Sequence, residues 1–349
     1  MKILDLINKV HARENLSYEE SQYCMREIMS GNILPSQFGA LMSAMALKEE
    51  TPTELAGMAS IMREYSLKIK SKENSIDVCG TGGSGLKWFN ISTASAILVS
   101  SLGIPVAKHG NRAMSGNSGS ADVLEELGVK IQIDPQKVED CLHEIDLTFI
   151  FAQSFHPSMK FAAPLRREIG IRTIFNFLGP LTNPAGVKKQ IIGTPNSIVA
   201  KKIAEAAKML NSERIITISG ESGADEIEID NKTKFYDSKN QFKEEIINFT
   251  KGYNSKYLIV SSPKESAKKI VDSFNLKSAT SDQELKSILH SILINSSIAL
   301  YLNETNSDLD ECYQIAEENI YNGKALKKLN QLIEITLSLI HISEPTRPY

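Results

Sequence analysis

From residue 75 onward the chain alternates short apolar runs with helix-like stretches, and this alternation limits its possible folds more than any other feature. The runs "IDVC" (76–79), "IPVAK" (104–108), "KIQID" (130–134), "LTFIF" (147–151), "QIIGT" (190–194), "RIITIS" (214–219) and "YLIVSS" (257–262) read as strands. Between them, residues 92–102, 118–127, 135–144 and 196–210 read as helices. The pattern predicts an α/β domain on a mostly parallel sheet, where functional loops follow the carboxyl ends of strands. Residues 3–68 read instead as a small N-terminal helical domain. Ile3, Leu4, Leu6, Ile7 and Val10 share helical spacing. Ser17 with Glu20, and Thr51 with Glu54, form capping boxes, the second with Pro52 at the first helical position. The helix after Ser17 is expected to stop near Gly31. "SQFGALMSAMALK", rich in small residues, suits close packing inside the chain or against a partner subunit. The predicted organisation is a helical domain over 1–69 completed by about 158–188, and an α/β domain over 70–157 and 189–336.

Composition removes several alternatives. The chain carries a net charge of -3 and no basic block, which argues against a general nucleic-acid binder. Cys24, Cys79, Cys141 and Cys312 are far apart and form no CxxC pair, so neither a disulfide framework nor a zinc site is expected. Charges interrupt the first apolar residues, unlike a signal peptide, and no apolar run of about 20 residues stands out. A cytoplasmic protein is expected. "LSLIHISEPTRPY", from Leu337, abandons the preceding helical pattern and resembles a translated sequencing adapter. Residues 337–349 are therefore read as a non-native tail, which leaves His341 outside any site.

Three loops carry candidate chemistry. Gly80-Thr81-Gly82-Gly83 follows the first strand, and Asn90, Ser92 and Thr93 precede a helix. Glycines turn backbone N–H groups toward an anion, and a helix start adds hydroxyls and its dipole. The loop matches neither GxxxxGK[ST] nor GxGxxG. After the next strand, "AKHGNRAMSGNSGSAD" supplies Lys108, His109, Asn111, Arg112, Ser115, Asn117, Ser118 and Ser120, with Gly110, Gly116 and Gly119 freeing the backbone. Two successive strand ends with cations, hydroxyls and glycines point to a phosphate site. A third loop, Gly220 to Glu226, ends in Asp225 and Glu226, which suit Mg²⁺ beside such a site.

"CGTGG", "FNIST", "AKHGNR", "SGSADVLEELGV", "RTIFNFLGPLTNPA" and "ADE" together make the chain resemble the anthranilate phosphoribosyltransferase family, over about residues 3–335. The resemblance implies a homodimer with its active site in the cleft near the hinge of the two domains. It implies phosphoribosyl pyrophosphate as donor, anthranilate as acceptor, and Mg²⁺, two ions per subunit. Gly80, Gly83, Ser84, Trp88, Asn90, Ile91, Ser92, Thr93, Lys108, His109, Gly110, Asn111, Arg112, Ala113, Met114, Ser115, Gly116 and Ser120 would surround the donor. Ser92, Asp225 and Glu226 would hold metal, Glu226 bridging both ions. Gly80, Asn111 and Arg166 would meet anthranilate, with His109 and Pro180 lining its path. Lys108, Asn111 and Arg166 are the catalytic candidates.

Four positions depart from the usual family pattern. Ser84 stands where Asp is common, Trp88 for Thr, Gly116 for Ser and Asn117 for Lys. The lost lysine predicts weaker donor binding. The rival readings are a pyrimidine nucleoside phosphorylase-like enzyme, which would lack the "RTIFNFLGPLTNPA" block, and a non-catalytic nucleic-acid-binding relative, which would have lost the metal carboxylates or gained a basic cleft. A purely structural dimer module would leave the three polar loops unexplained.

Overall fold

The computed structural model describes residues 2–82, 84–113, 117–249 and 252–338. Four helices come first: α1 (Ile3–His11), α2 (Tyr18–Met29), α3 (Pro35–Lys48) and α4 (Pro52–Glu64). Both expected capping boxes set helix starts. Ser17 N donates to Glu20 Oε2 at 2.7 Å while Ser17 Oγ accepts from Glu20 N at 3.1 Å. Thr51 and Glu54 repeat the pair at 2.8 and 3.2 Å. Glu54 is fully buried and also accepts from Leu16 N and Lys48 Nζ, each at 2.9 Å, so one carboxylate fastens three segments.

Then follow β1 (Ile76–Gly80), α5 (Ile91–Ser101), β2 (Val106–Gly110), α6 (Ser120–Glu126), α7 (Pro135–Ile145), β3 (Leu147–Phe151), α8 (Ala152–Phe155), α9 (Met159–Ile169) and α10 (Phe175–Leu178). The chain continues through β4 (Lys189–Gly193), α11 (Ser197–Met209), β5 (Arg214–Gly220), β6 (Thr233–Asp237), β7 (Glu244–Ile247), α12 (Pro263–Phe274), α13 (Gln283–Leu302), α14 (Leu309–Tyr321) and α15 (Lys324–Leu337). The sheet order is β3-β2-β1-β4-β5-β6-β7. The pairings from β3 through β5 are parallel, and β6 and β7 add an antiparallel edge.

Two large cores and a small third one around Ala107 and Ile150 cover the sheet. One gathers Met25, Ile28, Phe38, Leu41 and Leu55 of the helical domain with Ala162, Phe175 and Leu178, then continues onto Ile192 of β4 and Ile203 of α11. Residues 162–178 thus contribute to the same core as the N-terminal helices. The larger core joins α5 and α13 to the sheet, with Ile97, Leu98, Ile292 and Ile298 fully or almost fully buried.

The structure corrects four expectations. Residues 130–134 form no strand: Val129 and Ile131 are buried, so the apolar pattern marks burial of a connection that no strand pairs. Residues 257–262 do not enter the sheet either. A 3₁₀ turn (Ser255–Leu258) leads to a single antiparallel bridge between Ile259 and Trp88. The antiparallel strands β6 and β7 were not anticipated; in β7, "EEII" is exposed at three of its four positions and lacks an apolar face. Finally, α13 does reach spanning length, with 20 residues and a mean hydropathy of 1.3, but 83% of that stretch is buried as a core helix.

Candidate active site

β1 is followed in space by β2 and β3 on one side and by β4 and β5 on the other, so the order reverses between β1 and β4. Open α/β sheets bind ligands outside the carboxyl ends of strands at such a reversal. Here Gly80 ends β1 beside Gly193 of β4, and Thr81 N donates to Gly193 O at 2.8 Å. Asp225 lies directly over this pair. A Cβ on Gly80 would sit 3.0 Å from Asp225 Oδ2, and one on Gly193 would collide with the Asp225 backbone. Glycine at both positions is what lets the acidic loop descend onto the sheet.

A charged knot surrounds that point. Lys108, only 4% exposed on β2, donates to Val78 O at 2.6 Å and to Ser92 Oγ at 3.2 Å. Ser92, at the start of α5, donates its N–H to Glu226 Oε1 at 3.2 Å. Lys108, Ser92 and Glu226 are therefore linked, from three loops distant in sequence. Asp225 and Glu226 keep some solvent access, yet dense surrounding protein desolvates them. Desolvation pushes both carboxyls up, Glu226 to about 8, with Asp225 repelling it further and Lys108 acting against the rise. The Ser84 hydroxyl and the Gly82 N–H pull Asp225 the other way. Burial draws Lys108 below the usual lysine range, opposed by Asp77, Cys79 and Glu226. Two neighbouring carboxyls that resist ionisation provide a hard oxygen site that a divalent cation would stabilise. Among the described residues no three His, Cys, Asp or Glu side chains gather as a metal cluster. A cation here would need further oxygen from hydroxyls, water or a phosphorylated ligand.

The other expected residues divide into groups. Asn90 stands before α5 with its amide bonded to Ser118: Nδ2 donates to Ser118 O at 3.1 Å and Oδ1 accepts from Ser118 Oγ at 2.6 Å. The Ile91 side chain is fully buried in the main core, and its N–H donates to Phe89 O at 2.7 Å. Thr93 Oγ1 is buried with no partner among the described residues. Trp88 is half-buried against the main core. Gly110 ends β2 so close to Ser120 Oγ that a Cβ would clash. Asn111 O accepts from Ser120 Oγ at 3.2 Å, and Asn111 Oδ1 accepts from Gln153 Nε2 at 3.2 Å. Gly83, Met114, Ser115 and Gly116 lie outside the described residues, as do residues 339–349, leaving only Leu337 and Ser338 of the expected tail.

His109 is almost buried. Its backbone N–H donates to Asp77 Oδ1 at 3.2 Å, its Nδ1 contacts Gly179 O at 3.2 Å, and its Nε2 is buried with no partner among the described residues. His156 lies 5.2 Å away between ring centroids. Burial holds the two rings down, His109 to about 3 and His156 to about 4, so both are neutral near pH 7. Arg112 does not offer its charge freely to a phosphate. It pairs with Asp122 at 3.1 Å and with Glu125 at 2.5 Å, and these bonds raise it above the usual arginine range. Arg166, on α9 in the helical layer, stands apart from the knot. It lies 4.9 Å over the Phe175 ring and makes no salt bridge among the described residues.

Sequence reading missed two carboxylates that shape these loops. Asp122 accepts from Ala113 N and Gly119 N, each at 2.9 Å, closing the second loop. Its place three residues after Gly119, at a helix start, was the available signal. Asp77, fully buried inside the apolar run "IDVC", accepts from Asn183 Nδ2 at 2.8 Å and so ties residues 179–185 to the sheet. A charge within a buried strand pattern was its signal.

The chain belongs to the glycosyl transferase family that pairs these two domains: the family's "a/b domain" matches residues 72–326 and its "helical bundle domain" residues 4–66. Its relatives narrow the class. It is 38% identical over 347 residues to the anthranilate phosphoribosyltransferase of Chloroflexus aurantiacus, covering 96% of this chain and 99% of that one. It is 39% identical over 348 residues to the same enzyme of Dehalococcoides mccartyi, covering 97% and 99%. Among solved structures, anthranilate phosphoribosyltransferase from Thermus thermophilus superposes with a TM-score of 0.88 at 31% identity, covering 95% of this chain and 99% of that one. The Saccharomyces cerevisiae enzyme in complex with PRPP and Mg shares the fold, with a TM-score of 0.88 at 24% identity, covering 96% and 97%.

Proposed function

We propose that this protein transfers the phosphoribosyl group of phosphoribosyl pyrophosphate to the amine of anthranilate, releasing pyrophosphate, as a step of tryptophan biosynthesis. The observation that carries the reading is the Lys108–Ser92–Glu226 knot beside Asp225 at the strand-order reversal. It provides one buried cation, hydroxyl and backbone donors, and two carboxyls suited to a hard cation.

In this reading the bond from the ribose anomeric carbon to pyrophosphate breaks as the carbon–nitrogen bond forms. The amine then gives its proton to solvent, and its neutral lone pair makes a dedicated base unnecessary. Negative charge accumulates on the leaving pyrophosphate, where Lys108 Nζ, Ser92 Oγ and loop N–H groups stabilise it most in the transition state. Asp225 and Glu226, with Ser92, would hold Mg²⁺, two ions per subunit in this reading. Bound there, the metal supplies neutralisation of pyrophosphate charge. Arg166 pairs with the anthranilate carboxylate, a role supported by its lack of a carboxylate partner. Asn111 stands near the acceptor, and His109 and Pro180 line its approach. Closure of the helical domain over the sheet excludes water from the donor.

The protein acts as a cytoplasmic homodimer. The outer face of α3 supports this, since it exposes Ala40, Ser43 and Leu47 beside exposed Leu4 of α1. The test is fluorescence-monitored consumption of anthranilate by protein ending at Thr336. Loss of anthranilate that requires both donor and Mg²⁺, and that disappears in an Asp225→Asn/Glu226→Gln variant, is the expected result. Phosphorolysis of thymidine or uridine without anthranilate turnover would replace this reading with a nucleoside phosphorylase. A folded protein active in neither assay would point to the binding-protein reading.

A further inference from the structure

The two loops that would wrap the donor leave the sheet separately, one over residues 81–90 and the other over 111–119. Among the described residues neither contains a helix or strand that would hold its shape. A third segment, far away in sequence, touches both. Val260 N donates to Lys87 O at 2.7 Å, Phe89 N donates to Leu258 O at 2.8 Å, and Ile259 bridges Trp88 between them. The same segment reaches the second loop, where Asn117 Nδ2 donates to Val260 O at 3.0 Å.

Ser266, in the first turn of α12, completes the connection. It is fully buried, its Oγ accepts from Asn90 N at 2.9 Å, and its hydroxyl donates to Asn90 Oδ1 at 2.9 Å. Asn90 Oδ1 also accepts from Ser118 Oγ at 2.6 Å, and Asn90 Nδ2 donates to Ser118 O at 3.1 Å. Both lone pairs of the Asn90 amide oxygen are thus occupied inside the protein. This side chain links the two loops, and Ser266 fixes which way its amide points.

We propose that residues 258–266 are a strut that sets both donor loops in their binding arrangement before the donor arrives, with Ser266 as its positioning residue and Asn117–Val260 as its second attachment. The inference rests on the donor-loop reading given above. Ser266 itself contacts no reacting atom and works through Asn90. Ordering two loops in advance removes that entropic cost from donor binding, so loosening the strut weakens the donor more than the acceptor. The arrangement also assigns work to one departure from the family pattern, since the Asn117 side chain holds the strut to the second loop.

Trp88 is the only tryptophan of the chain, so its fluorescence reports the strut directly. The experiment compares full-length wild type, Ser266→Ala and Asn117→Ala. Acrylamide quenching of Trp88 is measured without ligand, donor affinity by titrating phosphoribosyl pyrophosphate with Mg²⁺, and kinetics with both substrates. Ser266→Ala is expected to weaken donor binding about tenfold, as for loss of a buried hydrogen-bond partner, and to increase Trp88 quenching. The anthranilate KM should stay within about twofold. Asn117 is half-buried, so Asn117→Ala tests the second attachment without emptying the core; it should shift the same quantities in the same direction by less. A general loss of structure would instead lower the melting temperature and both substrates' constants together, and would overturn the proposal. So would unchanged Trp88 quenching, or unchanged donor affinity, in both variants while wild type binds donor. Wild type that binds no donor at all would overturn the functional reading, and the strut's role with it.

Discussion

Lys108 and Arg166, the cations that the proposed reaction places on the donor and the acceptor, are held in opposite ways. Lys108 is buried on β2, its ammonium aimed by a strand carbonyl and the Ser92 hydroxyl. Arg166 is half-buried on α9, stacked over Phe175, with no carboxylate fixing it among the described residues. In the proposed reaction this contrast would separate a rigid donor side, built on the sheet, from an acceptor side borne by the helical layer. Preorganised charge acts on a transition state without reorganisation at the moment of reaction, so rigidity belongs where charge develops. In the proposed reaction, a cation without a carboxylate partner among the described residues could adjust if the domains close.

The largest effect should come from the carboxyls at the base of the knot. The Asp225→Asn/Glu226→Gln variant should lose at least about a thousandfold in kcat, measured by anthranilate fluorescence at saturating substrates, because it removes the site for leaving-group neutralisation. If kcat fell less than tenfold, the rigid side would not be where catalysis resides. Lys108→Met comes next, with about a hundredfold loss in kcat, roughly 3 kcal/mol, and little change in the anthranilate KM. Arg166→Ala should show the opposite split: a rise of about tenfold or more in the anthranilate KM, with kcat much less affected. Equal kcat losses in these two variants would erase the comparison.

The remaining predictions concern pH. Without metal, Glu226 titrates near 8 in the folded protein against an ordinary value of 4.5. The folded state keeps that proton while the unfolded state loses it. This contribution to stability is therefore lost as pH rises from about 4.5 to 8. Metal binding needs the ionised carboxylate, so Mg²⁺ affinity measured by calorimetry should rise across pH 6 to 8, and Glu226→Gln should flatten the rise. His109 and His156 act in the other direction. Their folded values of about 3 and 4 lie below 6.5, so the stability they contribute is present above about 6.5 and is lost as pH falls through the folded values. The smallest expected effect is a shallower fall in melting temperature below pH 6 for His156→Phe than for wild type.

Much of this was legible in the sequence, for local reasons. The capping boxes at Ser17 and Thr51 and the five parallel strands needed only short-range pattern, since hydrophobic period and side-chain caps act within a few residues. The family motifs likewise pointed to the three loops and their residue types. Other features misled for equally physical reasons. Val129 and Ile131 look like a strand because burial, rather than pairing, selected their side chains. The exposed β7 lacked the apolar face that would have revealed it.

The sequence by itself determined which groups the site would contain: a lysine and glycines at strand ends, hydroxyls at a helix start, and adjacent carboxyls after a fifth parallel strand. Only the tertiary structure decided how they act. It brought Asp225 down between Gly80 and Gly193, joined Lys108 to Glu226 through Ser92, turned Arg112 onto Asp122 and Glu125, and tied both loops to Ser266 through Asn90. Spacing along the chain encodes the direction of a side chain from its own element. The pairing of groups more than a hundred residues apart depends on strand order and on which polar atoms burial forces to find partners.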